Sequence, residues 1–285
     1  MPARTITEGV TPRTRESPRI TSVVATPPRN AQSVTSAGLL MDQASITSQL
    51  GGMPCRIADT PEMRRLRADG DFQHLGDALI GQYRYRDAAA AYEQAIRNAP
   101  EDMRLWKRFA GASLTVGNFA AAEDAYRRCL ELGAEESDIA YCLGFSCYIQ
   151  RQYAAAAGFF AAGYPCDEEQ EIALIYWHTL SACRAGIRKQ LLENFRTGMQ
   201  IGHHIAYEKI VSMFCGLSSP QDVEAWIGEE SDELNLVIAL YGLSVYYESI
   251  GQQKNHDRTL KALLSHDRYW PCLSYLAAWW DDASV

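Results

Sequence analysis

The residues able to do chemistry are scattered along this chain. His203 and His204 are adjacent and could offer two imidazoles to a metal ion. On a helix, neighbouring side chains point about 100° apart. No Cys or His stands three or four residues away to complete a ligand set, so no metal site is expected. Cys142 and Cys147 are five apart, as are His178 and Cys183, and no C-x-x-C occurs. A Cys/His nucleophile pair would need a tertiary contact that nothing in the sequence indicates. There is no phosphate-binding glycine loop, no G-x-S-x-G and no H-E-x-x-H. The expectation is a protein without catalytic residues and without a cofactor.

The elements that would position such residues show a stronger signal. Phe72, Trp106 and Ala140 are spaced by 34 residues, as are Leu75, Phe109 and Leu143. The same step relates Gly76, Ala110 and Gly144, then Tyr85, Phe119 and Tyr153. It also relates Ala88, Ala122 and Ala156, then Tyr92, Tyr126 and Phe160. This alternation of small and aromatic residues at a fixed period is the tetratricopeptide signature, a helix–turn–helix unit. Such units stack into a solenoid whose first helices line a concave groove. The predicted fold is all-α, a right-handed helical-hairpin solenoid.

Three segments are expected. Residues 1–60 are rich in Ser, Thr and Pro and read as a disordered leader. Residues 61–170 carry the three repeats, and 171–285 carry degenerate helical repeats. A fourth pair is read over 171–204, with Leu191, Leu192, Phe195 and Met199 as the stripe of its second helix. Another pair follows, Ala206–Cys215 and Pro220–Ile227, and the pattern partly returns from Leu234. Trp270, Trp279 and Trp280 mark a terminal cap around Cys272–Trp280.

Charge narrows the partners. The leader carries net +2 and the remaining residues net −10. An acidic body argues against nucleic acid and against an anionic membrane face. No apolar run is long enough to cross a bilayer, so no membrane insertion is expected. Most of the eight Cys read as small buried hydrophobes of a reducing compartment, which points to the cytoplasm.

Beyond the repeats, Lys209–Gly216 (KIVSMFCG) and Leu240–Gly251, with Tyr246-Tyr247 before a glycine turn, resemble segments of the bacterial lipoprotein NlpI family. The resemblance covers roughly residues 65–278. It implies an all-helical adaptor, often homodimeric, that tethers cell-wall hydrolases and a protease and has no catalytic residues. No apolar stretch follows the N-terminus and Cys55 is preceded by Gly52-Met53-Pro54, so a departure from that family is expected, without its signal peptide and lipid-anchor cysteine. It is also similar to the three-repeat chaperones of type III secretion translocators, which implies an export-substrate chaperone as the alternative. Those normally end near the third repeat.

The 34-residue register places the groove positions. They are Gln73, Asp77 and Ile80 in repeat one, and Arg104, Lys107, Arg108 and Gly111 in repeat two. Tyr141, Phe145 and Tyr148 follow in repeat three, joined by Tyr176. The groove should be cationic at one end and aromatic at the other. It should hold an extended or helical peptide that carries acids beside apolar residues. The Lys and Asn of a carboxylate clamp are missing, since Gln73 and Asp77 stand in their places. The acidic run Glu229–Glu233 reads as a solvated loop.

Overall fold

The computed structural model describes Leu50 and residues 57–164, 166–187 and 195–282. Most of the expected leader, and Leu191 and Leu192, lie outside the described residues. Leu50 is itself buried against the main core, so the folded body draws on the chain before residue 60.

The described residues are all-α, without strands. The helices are α1 (Pro61–Asp69), α2 (Phe72–Ile80), α3 (Tyr85–Asn98), α4 (Met103–Thr115), α5 (Phe119–Glu131), α6 (Glu136–Ile149) and α7 (Tyr153–Ala162). They continue as α8 (Glu168–Arg184), α9 (Ile205–Phe214), α10 (Pro220–Glu229), α11 (Glu233–Ser249), α12 (Gln253–Leu264) and α13 (Leu273–Asp282). A short 3-10 turn, Asp267–Tyr269, precedes α13. Local chemistry sets many starts. Asp71, Asp102, Asn118, Asp167 and Asp232 each accept a backbone N–H of the first turn they cap. Ser219 and Asp222 form a reciprocal capping box at α10, with Pro220 in its first turn.

The pairs α2–α3, α4–α5 and α6–α7 occupy the three 34-residue units. Their small residues do what the period requires. A Cβ on Gly76 would lie 2.4 Å from the Tyr92 ring, and one on Gly144 would lie 2.7 Å from the Phe160 ring. Ala110 and Tyr126 are both fully buried in the middle unit. The turns repeat as well. Tyr83, Gly117 and Arg151, each 34 residues apart, have φ of 58°, 79° and 61°. The left-handed conformation is kept even where glycine is absent, so the helix pairing imposes it.

Beyond residue 184 the period fails. Residues 195–204 are not helical, and Gly198 and Gly202 hold φ of 84° and 56°. The expected second helix of the fourth pair is therefore absent across Phe195–Met199. Trp177 on α8 is the aromatic hub. Its ring contacts Phe145, Tyr148, Tyr176 and Tyr241 at centroid distances of 5.0–5.8 Å. Its indole N–H donates to the Tyr141 hydroxyl at 2.9 Å.

The last helices fold back onto the first units. Trp270 sits edge-on to Tyr85 at 5.4 Å, and Trp280 edge-on to Phe119 at 5.3 Å. Trp280 closes so tightly on the Gly117 turn that any side chain there would collide with it. Trp270 is buried and Trp280 half-buried, so they join distant units rather than shield a free end.

Candidate functional site: the first-helix surface and its C-terminal cover

The residues expected to line one groove divide into two sets. Gln73, Asp77, Ile80, Lys107, Arg108 and Gly111 are half-buried, and Arg104 is exposed. Phe145, Tyr148 and Tyr176 are at most 1% exposed, and Tyr141 is half-buried with its hydroxyl engaged by Trp177. The aromatic end of the expected groove is therefore core. The reason is in cis. Phe145 packs on Trp177. The Tyr176 hydroxyl donates to the Ile238 carbonyl at 2.8 Å, and the Tyr148 hydroxyl is hydrogen-bonded to that of Tyr241 at 3.0 Å. Burial pushes the phenols of Tyr148, Tyr176 and Tyr241 far up, so they stay neutral.

A sequence signal for this exists. Helix α6 buries nine of the ten residues from Ile139 to Tyr148, and α11 buries Val237 through Val245. A helix that is apolar on every face must be covered on every face. A 34-residue register says nothing of what covers it.

Arg184 ties the cover down. Its side chain is 7% exposed and pairs with Asp281 at 2.8 Å and Glu248 at 2.9 Å. The guanidinium also lies over the rings of Tyr148, Tyr153 and Tyr241 at 5.3–5.8 Å. The Tyr241 hydroxyl donates to Asp281 at 2.9 Å. Burial opposes the charge on Arg184, but the surrounding hydroxyls and Asp281 outweigh it and hold the guanidinium firmly charged. Neither Arg184 nor Asp281 belongs to the repeat signature, and sequence spacing gave no reason to join them.

The cationic end is already partly neutralised. Asp77 accepts from Arg108 at 2.6 Å and from the Tyr92 hydroxyl at 2.7 Å. Arg104 turns back to its own helix cap, Asp102, at 3.3 Å. Lys107 lies near Cys129, whose thiol burial pushes up to about 11 against the lysine's field. The acidic loop is a capping device. Glu230 accepts from the backbone N–H groups of Ser231 and Asp232, and Asp232 caps α11.

The histidine pair behaves differently from expectation. His203 lies in a turn and His204 is the N-cap of α9, so the 100° argument for a helix does not apply. The rings lie 4.3 Å apart at 33°, and both face Glu169 of α8. The metal-ligating atoms of Glu169, His203 and His204 all lie within 4.8 Å of one another. The local spacing argument looked only three or four residues away, whereas a third candidate donor comes from Glu169, more than thirty positions upstream.

No protein-family model matches the chain, and no curated protein matches it. The fold and site define the class as an all-α body of packed helical hairpins. Among the described residues, no helix is long and apolar enough to cross a membrane.

Proposed function

We propose that this protein is a tetratricopeptide-type scaffold that binds a segment of a partner protein on the first helices of its first two units. The observation behind this reading is the contrast between the units. In the third unit the chain itself covers the first helix. In the first two, Gln73, Ile80, Arg104 and Lys107 stay partly open on α2 and α4. A surface with two cations beside an apolar side chain suits an acidic segment with apolar residues between its acids. Arg104 has only a surface pair with Asp102, worth about 0–1 kcal/mol, so an incoming carboxylate can exchange for it. Such a protein acts by holding another in place.

A display selection of acidic peptides against the full chain, followed by affinity measurement, tests this. Arg104→Glu with Lys107→Glu should weaken selected peptides at least about tenfold through a salt-sensitive association step. Selection of no peptide, or peptides indifferent to both changes, would defeat the reading.

A further inference from the structure

The first turn of α8 carries three acids, and each takes hold of the segment before α9. Glu168 accepts from the Gln200 N–H at 2.6 Å and from Arg196 at 2.8 Å. Glu171, with a side chain only 7% exposed, pairs with Arg196 at 3.5 Å. Glu169 faces the histidines. Its Oε1 lies 3.1 Å from His203 Nδ1 and 3.6 Å from His204 Nε2.

We propose that Glu169, His203 and His204 form a binding site for a divalent transition-metal ion of the zinc class, which joins the start of α8 to the start of α9.

Three observations carry this. The first is spacing. Tetrahedral zinc with bonds of about 2.0–2.2 Å sets its donor atoms about 3.3 Å apart. The two donor separations from Glu169, 3.1 and 3.6 Å, bracket that value. The second is convergence. Adjacent residues reach the same carboxylate oxygen through opposite ring nitrogens, the near Nδ1 of His203 and the far Nε2 of His204. The ring of His204 is also held by Tyr207 at a centroid distance of 5.4 Å. The third is the backbone. Gly202 has φ of 56°, and a Cβ there would stand 2.9 Å from Glu169 Oε1. The turn is thus pressed against the carboxylate in a conformation that suits glycine.

The chemistry selects the ion. Two imidazoles and one carboxylate suit zinc, cobalt, nickel or copper, whereas magnesium and calcium prefer all-oxygen shells. The side chains of His203 and Glu169 are 63% and 45% exposed, so the ion would enter from solvent and keep water in its remaining position. Nothing in this proposal depends on the peptide-binding surface of α2 and α4.

The test is titration of the untagged, reduced full chain with Co²⁺ at neutral pH, followed by displacement with Zn²⁺. One equivalent should bind, with visible bands of a nitrogen–oxygen site and no thiolate-to-cobalt charge-transfer band. Glu169→Gln and His203→Ala should each weaken binding at least ~10-fold, the lower bound seen even for outer-shell changes. Both side chains are exposed, so the folded state should survive, as circular dichroism would verify. His74→Ala is the control. His74 pairs with Asp71 at 2.8 Å, and neither belongs to a three-donor group among the described residues, so its loss should leave binding unchanged. Three results would overturn the proposal: no saturable uptake, uptake with a thiolate band, or an affinity that neither variant changes.

Discussion

Asp281→Asn should loosen the last helix from the body. The carboxylate is 17% exposed and stands between the 7%-exposed Arg184 and the Tyr241 hydroxyl. Removing one partner of a buried ion pair typically costs about 3–5 kcal/mol, because the other charge is left in low dielectric. Two facts place this case at the low end. Asp281 is not fully buried, and Glu248, at 45% exposure, still reaches Arg184. A loss of about 3 kcal/mol follows. For a body of this size each kcal/mol moves the melting temperature by roughly 2–4 °C, so a drop of about 6–12 °C is expected. Hydrogen exchange should show where the change falls: amides of Leu273–Asp282 should lose protection before those of α2 to α7. The cycle of Asp281→Asn, Arg184→Met and the double variant isolates the pair. A coupling below about 0.5 kcal/mol, or a single variant that melts within about 2 °C of the parent, would refute the claim that this pair holds the cover down.

Other outcomes follow from the packing. Gly144→Leu should destabilise by at least ~1–3 kcal/mol, since even its Cβ meets the Phe160 ring at 2.7 Å, and an unchanged melting temperature would show that the close approach is wrong. Arg151→Gly should raise the melting temperature by about 2 °C, since the side chain is exposed and its φ of 61° is strained for any residue with a Cβ. The thiols of Cys129 and Cys166, pushed up by burial to about 11 and about 12, should resist alkylation at mildly alkaline pH until the protein is denatured, as mass spectrometry would show. Burial lowers the pKa of His178 below 6.5, so its contribution is present above about pH 6.5 and is lost as pH falls toward the folded value. His178→Gln should therefore flatten the fall in stability on acidification, measured by denaturant titration at several pH values.

How much of this was legible in the sequence depends on the range of the contacts. The pairing of Gly76 with Tyr92 and of Gly144 with Phe160 is local and repeats, so the period revealed it. The start of α10 at Pro220 was legible for the same reason, because a proline in the first turn is a local signal. The burial of Phe145, Tyr148 and Tyr176 was not, because the residues covering them lie on α8, α11 and α13 and share no period with them. The histidine pair was misjudged through one assumption. The Leu191–Met199 stripe suggested a helix running toward residue 203, and helical angles then excluded convergence. Gly198 and Gly202, four residues apart, were the available sign that the chain turns there. Glu169 could not have been found, since its approach depends on how α8 and α9 dock.

The contact between Trp270 and Tyr85 also bears on how the chain reaches its native state. In an open solenoid each unit touches only its neighbours, and structure can spread from any point. Here the segment from Trp270 to Trp280 touches the first two units, and Arg184 meets Asp281 across 97 positions of sequence. During synthesis the early hairpins can form while the chain is still emerging. Their aromatic faces, however, stay uncovered until residues 270–281 leave the ribosome. That interval is a window of aggregation risk, and it closes only when residues 270–281 can dock on the early hairpins. Refolding of the intact chain should accordingly be slower than its local hairpins alone would suggest, with the long loop closures setting the pace.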